Sequence, residues 1–116
     1  MAVPVQHQAE AALVYATCPD AQTAQDIGRA LVAAKLAACV NILPGMTSVY
    51  RWDGDVTQDN EVVLIIKTRK ALIDQVIAEG VKLHPYETPA FLAVDVVSAS
   101  PSYLAWILAE TKDGEG

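Results

Sequence analysis

The sequence predicts a single α+β domain of order β-α-β-β-α-β with a long hairpin between its second and third strands and an extra helix at the C-terminus. Three observations carry this. Short runs of strand formers alternate with stretches whose apolar residues recur at helical spacing. Asp53-Gly54 stands between two strand-like runs as the signal for a tight two-residue hairpin, since both residues tolerate positive φ. Ser100-Pro101 then opens a final helix, an N-cap followed by proline at the first helical position.

Ala11 to Ala16 form an apolar run ended by Cys18-Pro19-Asp20, which reads as a buried strand leading into a helix capped by Asp20. Ala24, Ile27, Leu31 and Ala34 give that helix its apolar stripe. From Ala37 to Trp52 strand formers dominate, interrupted at Pro44-Gly45, so one long kinked strand is expected. The return strand carries Val62 to Ile66, five aliphatics in a row. A second helix, with Thr68 as candidate cap, places Leu72, Ile73, Val76, Ile77 and Leu83 on one side and ends before Pro85. The fourth strand runs from Phe91 to Val97, and the last helix reaches about Thr111. This order matches the ferredoxin-like split βαβ arrangement. Residues 1–10 read as a flexible tail, 11–112 as the domain and 113–116 as a frayed end.

In such a fold the helices cover one face of the sheet. Neighbouring strand residues point to opposite faces, so the unbroken Val62 to Ile66 run is apolar on both. The final helix, with Tyr103, Leu104, Trp106, Ile107 and Leu108, is also apolar around most of its circumference. The chain is 53% apolar and only 19% charged, against about 25% charged in average soluble proteins. Two readings account for the excess: self-association through the bare sheet face, or the third helix folding back over its own sheet.

Composition narrows the function. A net charge of −6, with eight scattered Lys and Arg, offers no basic face for nucleic acid or an anionic membrane. No apolar run approaches the length of a membrane span, and Met1 to Glu10 lacks the features of a secretory signal; a cytoplasmic location is expected. Walker, Rossmann, nucleophile-elbow and zincin signatures are all missing, so no enzymatic activity is expected.

Several residues remain as candidates. His84, at the end of the second helix, can ligate a metal or simply terminate the helix at the surface. Cys18 adjoins a helix N-terminus, which favours the thiolate and, with an imidazole, suits copper or zinc. Cys39 reads as a small buried apolar residue, in a strand end opposite to that of Cys18, so a disulfide is not expected. Glu61 and Lys67 share one face of the return strand and bracket its aliphatic centre. Tyr50, Trp52 and Tyr86 can line a cleft or pack the hairpin.

Four ordered blocks, Leu36-Ala37-Ala38-Cys39-Val40-Asn41, Ser48 to Gly54, Glu61 to Thr68 and His84-Pro85-Tyr86-Glu87-Thr88-Pro89, together with Tyr103-Leu104-Ala105-Trp106, resemble the CutA divalent-ion tolerance family. The resemblance spans Leu13 to Leu108. It implies a homotrimer of ferredoxin-like subunits, similar in architecture to the PII signalling proteins, a link to divalent metals, copper(II) above all, and no established reaction. The copper ligands proposed for the family map here onto Ala16, Leu83 and His84, so His84 alone is retained, and Cys18, two residues beyond Ala16, is a candidate replacement. The resemblance further implies an intersubunit cleft lined by Cys39, Glu61, Lys67, His84, Tyr86 and Glu87, able to hold a metal or a small anion; Ala90 stands where the family often has Glu. A PII-like trimer recognising a small anionic metabolite is the alternative reading.

Overall fold

The computed structural model describes residues 6–7 and 10–114; of the expected loose ends, residues 1–5, 8–9 and 115–116 lie outside the described residues. In chain order the elements are β1 (Gln6–His7), β2 (Ala11–Cys18), α1 (Ala21–Ala33), β3 (Cys39–Trp52), β4 (Asp55–Arg69), a 3-10 turn (Lys70–Leu72), α2 (Ile73–Leu83), β5 (Phe91–Asp95), β6 (Ser98–Ala99) and α3 (Pro101–Glu110). Four strands form an antiparallel sheet in the order β3-β4-β2-β5. Each long crossover therefore passes over one intervening strand: α1 carries the chain from β2 to β3 across β4, and α2 carries it from β4 to β5 across β2. The expected fourth strand is broken at Val96-Val97, after which Ser98–Ala99 pairs with Gln6–His7 instead.

Asp53 and Gly54 both adopt positive φ, 53° and 87°, and Trp52 pairs with Asp55 directly across them. Both central residues in the left-handed region match the twist of the flanking strands, so the turn extends the ladder instead of splaying it. The interruption at Pro44-Gly45 is a bulge: Gly45 has φ 83°, and the register shifts between Leu43 and Met46. Proline, which donates nothing to a ladder, is tolerated at such a break.

Strand alternation divides the sheet into two unlike faces. Val14, Ala16 and Cys18 of β2 and Val62, Leu64 and Ile66 of β4 point toward the helices, where Ile27, Leu31, Leu72 and Val76 close a continuous core. Asp20 caps α1 as expected, its carboxylate accepting from the Thr23 amide at 2.7 Å. Gly28 lies under Val40, whose Cγ2 is 2.6 Å from where a Cβ would stand. Close approach of helix to strand is thus set by a missing side chain. Ala34 does not continue the buried stripe; it is the exposed C-cap of α1.

Two further expectations are corrected. Thr68 does not cap the second helix: it is the penultimate residue of β4, fully buried, and its hydroxyl donates to the Leu36 carbonyl at 2.6 Å. A buried hydroxyl takes whichever acceptor burial leaves it, and here that acceptor is 32 residues away in sequence. Leu83, placed on the apolar side of α2 by spacing, is exposed, and Gly80 occupies the buried position against Phe91.

On the opposite face α3 folds back over the sheet at its Ala11 end, where Ala11, Ala38, Leu104 and Ile107 form a second cluster. Arg69 fastens it, its guanidinium donating to the carbonyls of Leu108 and Thr111 and to the Thr111 hydroxyl. Ser100 precedes Pro101 as expected, although its side chain makes no capping bond. Coverage by α3 is partial. Leu43, Leu92 and Val94 stay exposed, so the fold-back of the third helix accounts for only part of the apolar excess on this face. No helix among the described residues is long and apolar enough to cross a membrane.

Candidate functional site

A cleft of about 920 Å³ opens on this second face. One wall is the β3-β4 arm, contributing Met46, Tyr50, Trp52, Asp59 and Glu61; the other is the loop after α2, contributing Tyr86 and Glu87; Tyr15 and Thr17 of β2 form its floor. The arm reaches the cleft because of the bulge at Gly45, which turns Met46, Ser48 and Tyr50 to the same side as Glu61 and Asp59. The loop is fixed because Pro85 ends α2 and the chain must cross the sheet end before entering β5.

The arm wall is tied internally by a hydrogen bond from the Tyr50 hydroxyl to the Asp59 carboxylate. That bond, with desolvation and the charges of Asp59 and Glu61, pushes the Tyr50 phenol up to about 12. Burial raises Tyr86 as well, followed by the charges of Glu61 and Asp59. Two phenols on opposite walls thus feel the same negative field.

His84 stands behind the loop wall, buried. The Tyr86 amide donates to its Nδ1 at 3.1 Å, and Nε2 lies 2.8 Å from the Thr17 carbonyl. An amide can only donate and a carbonyl only accept, so the ring is the Nε2-protonated neutral tautomer with both nitrogens engaged. Its ring also packs against Tyr86 and Phe91, at centroid distances of 4.8 and 5.9 Å. It anchors the loop to β2.

Cys18 corrects the expectation of a thiolate. Its side chain faces the helix-covered core with no exposed surface, and burial, then the charges of Asp20 and Glu61, push its thiol up to about 11. The nearby helix N-terminus is outweighed by desolvation. Among the described residues, no three of His, Cys, Asp and Glu converge where a metal ion could sit.

The remaining expected residues, Cys39 and Lys67, lie elsewhere. They pair with each other across β3 and β4, and Lys67 is six residues from Glu61, about 20 Å at strand rise. Cys39, expected to be buried, is partly exposed. The Lys67 ammonium donates to the Tyr103 hydroxyl at 3.0 Å and lies 5.3 Å from that ring's centroid, and the Cys39 sulfur is 3.7 Å from the same hydroxyl. The bond to Tyr103 is the main cause holding Lys67 above its ordinary pKa. In one chain, therefore, Glu61, Tyr86 and Glu87 meet in the cleft with Tyr50 and Trp52, His84 supports it from behind, and Cys39 and Lys67 form a separate cluster under α3.

Sequence reasoning missed Asp59 and Tyr103. Asp59 was accessible by counting outward from Asp53-Gly54, which sets it opposite Ser48 and diagonal to Tyr50. Tyr103 had no such signal, since α3 reaches Lys67 only through tertiary packing.

The family model described as CutA1 divalent ion tolerance protein matches residues 12–110. Among curated proteins, the chain is 39% identical over 99 residues to the divalent-cation tolerance protein CutA of Thermus thermophilus, covering 85% of this chain and 96% of that one. It is 42% identical over 93 residues to the protein CutA homolog of Xenopus laevis, covering 80% of this chain and 62% of that one. The chain spans about half to three-fifths of the length of the vertebrate and plant relatives it matches. The crystal structure of CutA from Xylella fastidiosa superposes with a TM-score of 0.87 at 42% identity, covering 89% of this chain and 99% of that one. A match across nearly the whole domain, in sequence and in fold, places the chain in the CutA1 divalent ion tolerance family.

Proposed function

We propose that the chain acts in the cytoplasm as a homotrimeric, non-catalytic divalent-cation tolerance protein that binds copper(II) or a related divalent ion once its subunits associate. The observation that carries the reading is the uncovered apolar part of the second face, Leu43, Leu92 and Val94, on a chain whose site residues fall into two clusters. A closed cyclic assembly buries that face identically in every subunit. It also allows the Lys67 cluster of one subunit to stand beside the cleft of the next. The names of the relatives support the metal link. For His84 to ligate through Nε2, its bond to the Thr17 carbonyl must be exchanged for the metal; Glu61 and Glu87 then supply negative charge on the cleft side. Cys18, buried and protonated, contributes only if β2 frays.

Native mass spectrometry with and without stoichiometric Cu(II) tests this in one spectrum. A trimer taking up one copper per subunit, with the uptake lost in His84→Ala and kept in Cys18→Ala, is the expected result; a monomer, or a trimer that takes up no copper, overturns it. A second reading, a PII-like trimer holding a small anionic metabolite, is favoured by Lys67, which Tyr103 keeps firmly cationic. Its signature is thermal stabilisation by nucleotides or carboxylates but not by metals.

A further inference from the structure

Two cations on one strand hold the two ends of α3. Lys67 and Arg69 stand two residues apart in β4 and so share the second face. Lys67 donates to the hydroxyl of Tyr103, in the first turn of α3, at 3.0 Å. Arg69 donates to the carbonyls of Leu108 and Thr111 at the other end. The last carbonyls of a helix have no partner within it and carry the negative end of its dipole, so a guanidinium suits them. Beyond this point the chain leaves the second face. The Lys112 amide donates to the Lys35 carbonyl at 2.9 Å, and the Gln75 side-chain amide donates to the Gly114 carbonyl at 3.1 Å. Gly114 rests on Ala71, whose Cβ is 2.6 Å from where a Cβ at Gly114 would stand. Residues 111–114 thus run from α3 round the end of the sheet to the helix layer.

We propose that Thr111 to Gly114 form a latch that sets how often α3 lifts from the sheet as a unit, and with it how often the Lys67 ammonium is released from Tyr103. Every contact the latch uses lies within one chain, so it does not rest on the proposed trimer. An anion that engages Lys67 in place of Tyr103 binds only the lifted state, and its apparent affinity scales with the fraction lifted.

Three observations support a unit that opens separately from the core. The first is length: α3 has ten residues, fewer than the roughly 12–15 a helix needs to persist alone in water, so its order comes from docking. The second is how thin that docking is. Among the described residues, Leu104 and Ile107 meet only Ala11 and Ala38 in their buried cluster, against thirteen buried residues in the core under α1 and α2. A segment with few buried apolar contacts opens at lower free energy than the core. The third is where the latch is anchored. Lys35 follows α1, while Ala71 and Gln75 lie in the 3-10 turn and the first turn of α2, so residues 111–114 tie the weakly docked helix to the strongly packed layer. Lys35 itself has φ 59°, in the left-handed region that glycine usually fills after a helix, and from this turn its carbonyl meets the Lys112 amide. The Arg69–Asp113 ion pair, 3.6 Å long with Asp113 94% exposed, adds little.

The test is native-state hydrogen exchange of the full chain, read amide by amide by NMR in the parent and in three variants. Gln75→Ala removes one bond of the latch and should speed exchange at Leu104 to Glu110 about 2- to 10-fold. Gly114→Ala, which crowds Ala71, should act in the same direction. Arg69→Met keeps most of the apolar stem and removes the charged donor, with an expected acceleration of about 10- to 100-fold. In each case the amides of Val14, Leu64 and Ile66 should keep their parent rates. Unchanged α3 rates in Gln75→Ala and Arg69→Met overturn the proposal. So does acceleration confined to the last turn, which is fraying of the helix end and leaves Tyr103 on Lys67. Equal acceleration of α3 and the core strands overturns it as well, because α3 would then open only when the whole domain does.

Discussion

The two faces of the sheet are built from the same kinds of residue and meet different fates. On the helix side, Val14, Ala16, Leu64 and Ile66 pack against Ile27, Leu31, Leu72 and Val76, and none of the eight is more than 1% exposed. On the other side, Leu92 is 64% exposed and Val94 50%, although Phe91 of the same short strand packs against the helix-side core and the two pair with Tyr15 and Leu13 of β2. The difference lies in what is available to cover each face. Two crossover helices complete the first, whereas one ten-residue helix, pinned by Arg69 at the Ala11 end, cannot reach the rest of the second. Apolar surface left in this way by a fold that is otherwise closed is what supports the proposed assembly.

The largest effect expected of a substitution follows directly. Replacing both Leu92 and Val94 with Asp puts charge on the exposed part of the second face without touching the helix-covered core. Light scattering coupled to size exclusion should report loss of the proposed trimer to a monomer, with the far-UV circular dichroism retained. A double variant that still assembles would break the comparison, because the second face would then not be the surface that subunits share.

A smaller effect separates the faces within one subunit. In that monomeric background, Leu64→Ala removes a fully buried side chain from the centre of the core, and urea titration should show a loss of about 2–5 kcal/mol. Placing Ala instead of Asp at position 92 should change the stability of the same monomer by less than about 0.5 kcal/mol, as for other surface sites. Equal losses at the two positions would mean that α3 or the arm closes over β5 in solution.

How much of this was legible in the sequence depends on how far a signal must travel. The hairpin at Asp53-Gly54, the cap at Asp20, the bulge at Pro44-Gly45 and the two-sided apolar strand are local: each is a residue type whose backbone or hydration needs are met within a few positions. Thr68 was misread because its hydroxyl is satisfied by Leu36, a partner set by tertiary packing. Cys18 was misread for a related reason: closeness to a helix N-terminus is a local fact, but burial under the helices is a global one, and desolvation dominates. The candidate site was half legible. Glu61, Tyr86 and Glu87 do share a cleft, yet strand rise alone separates Lys67 and Cys39 from them, and only an assembly of several chains can bring such clusters together.

The smallest effect concerns Asp20, which lies where the two regions meet, at the start of α1 and beside the end of β2. Its carboxyl is held below the ordinary range by the Thr23 amide. A group whose folded pKa is depressed adds stability above its unfolded value, about 3.9, and that contribution drains away as pH falls through the folded value. The urea midpoint of the monomeric double variant should therefore fall as the solution is acidified below about pH 4, and Asp20→Asn, which keeps a side-chain acceptor for the cap, should flatten part of that slope. If Asp20→Asn instead leaves the midpoint slope intact, the bond from the Thr23 amide is not what couples the helix-covered face to acid.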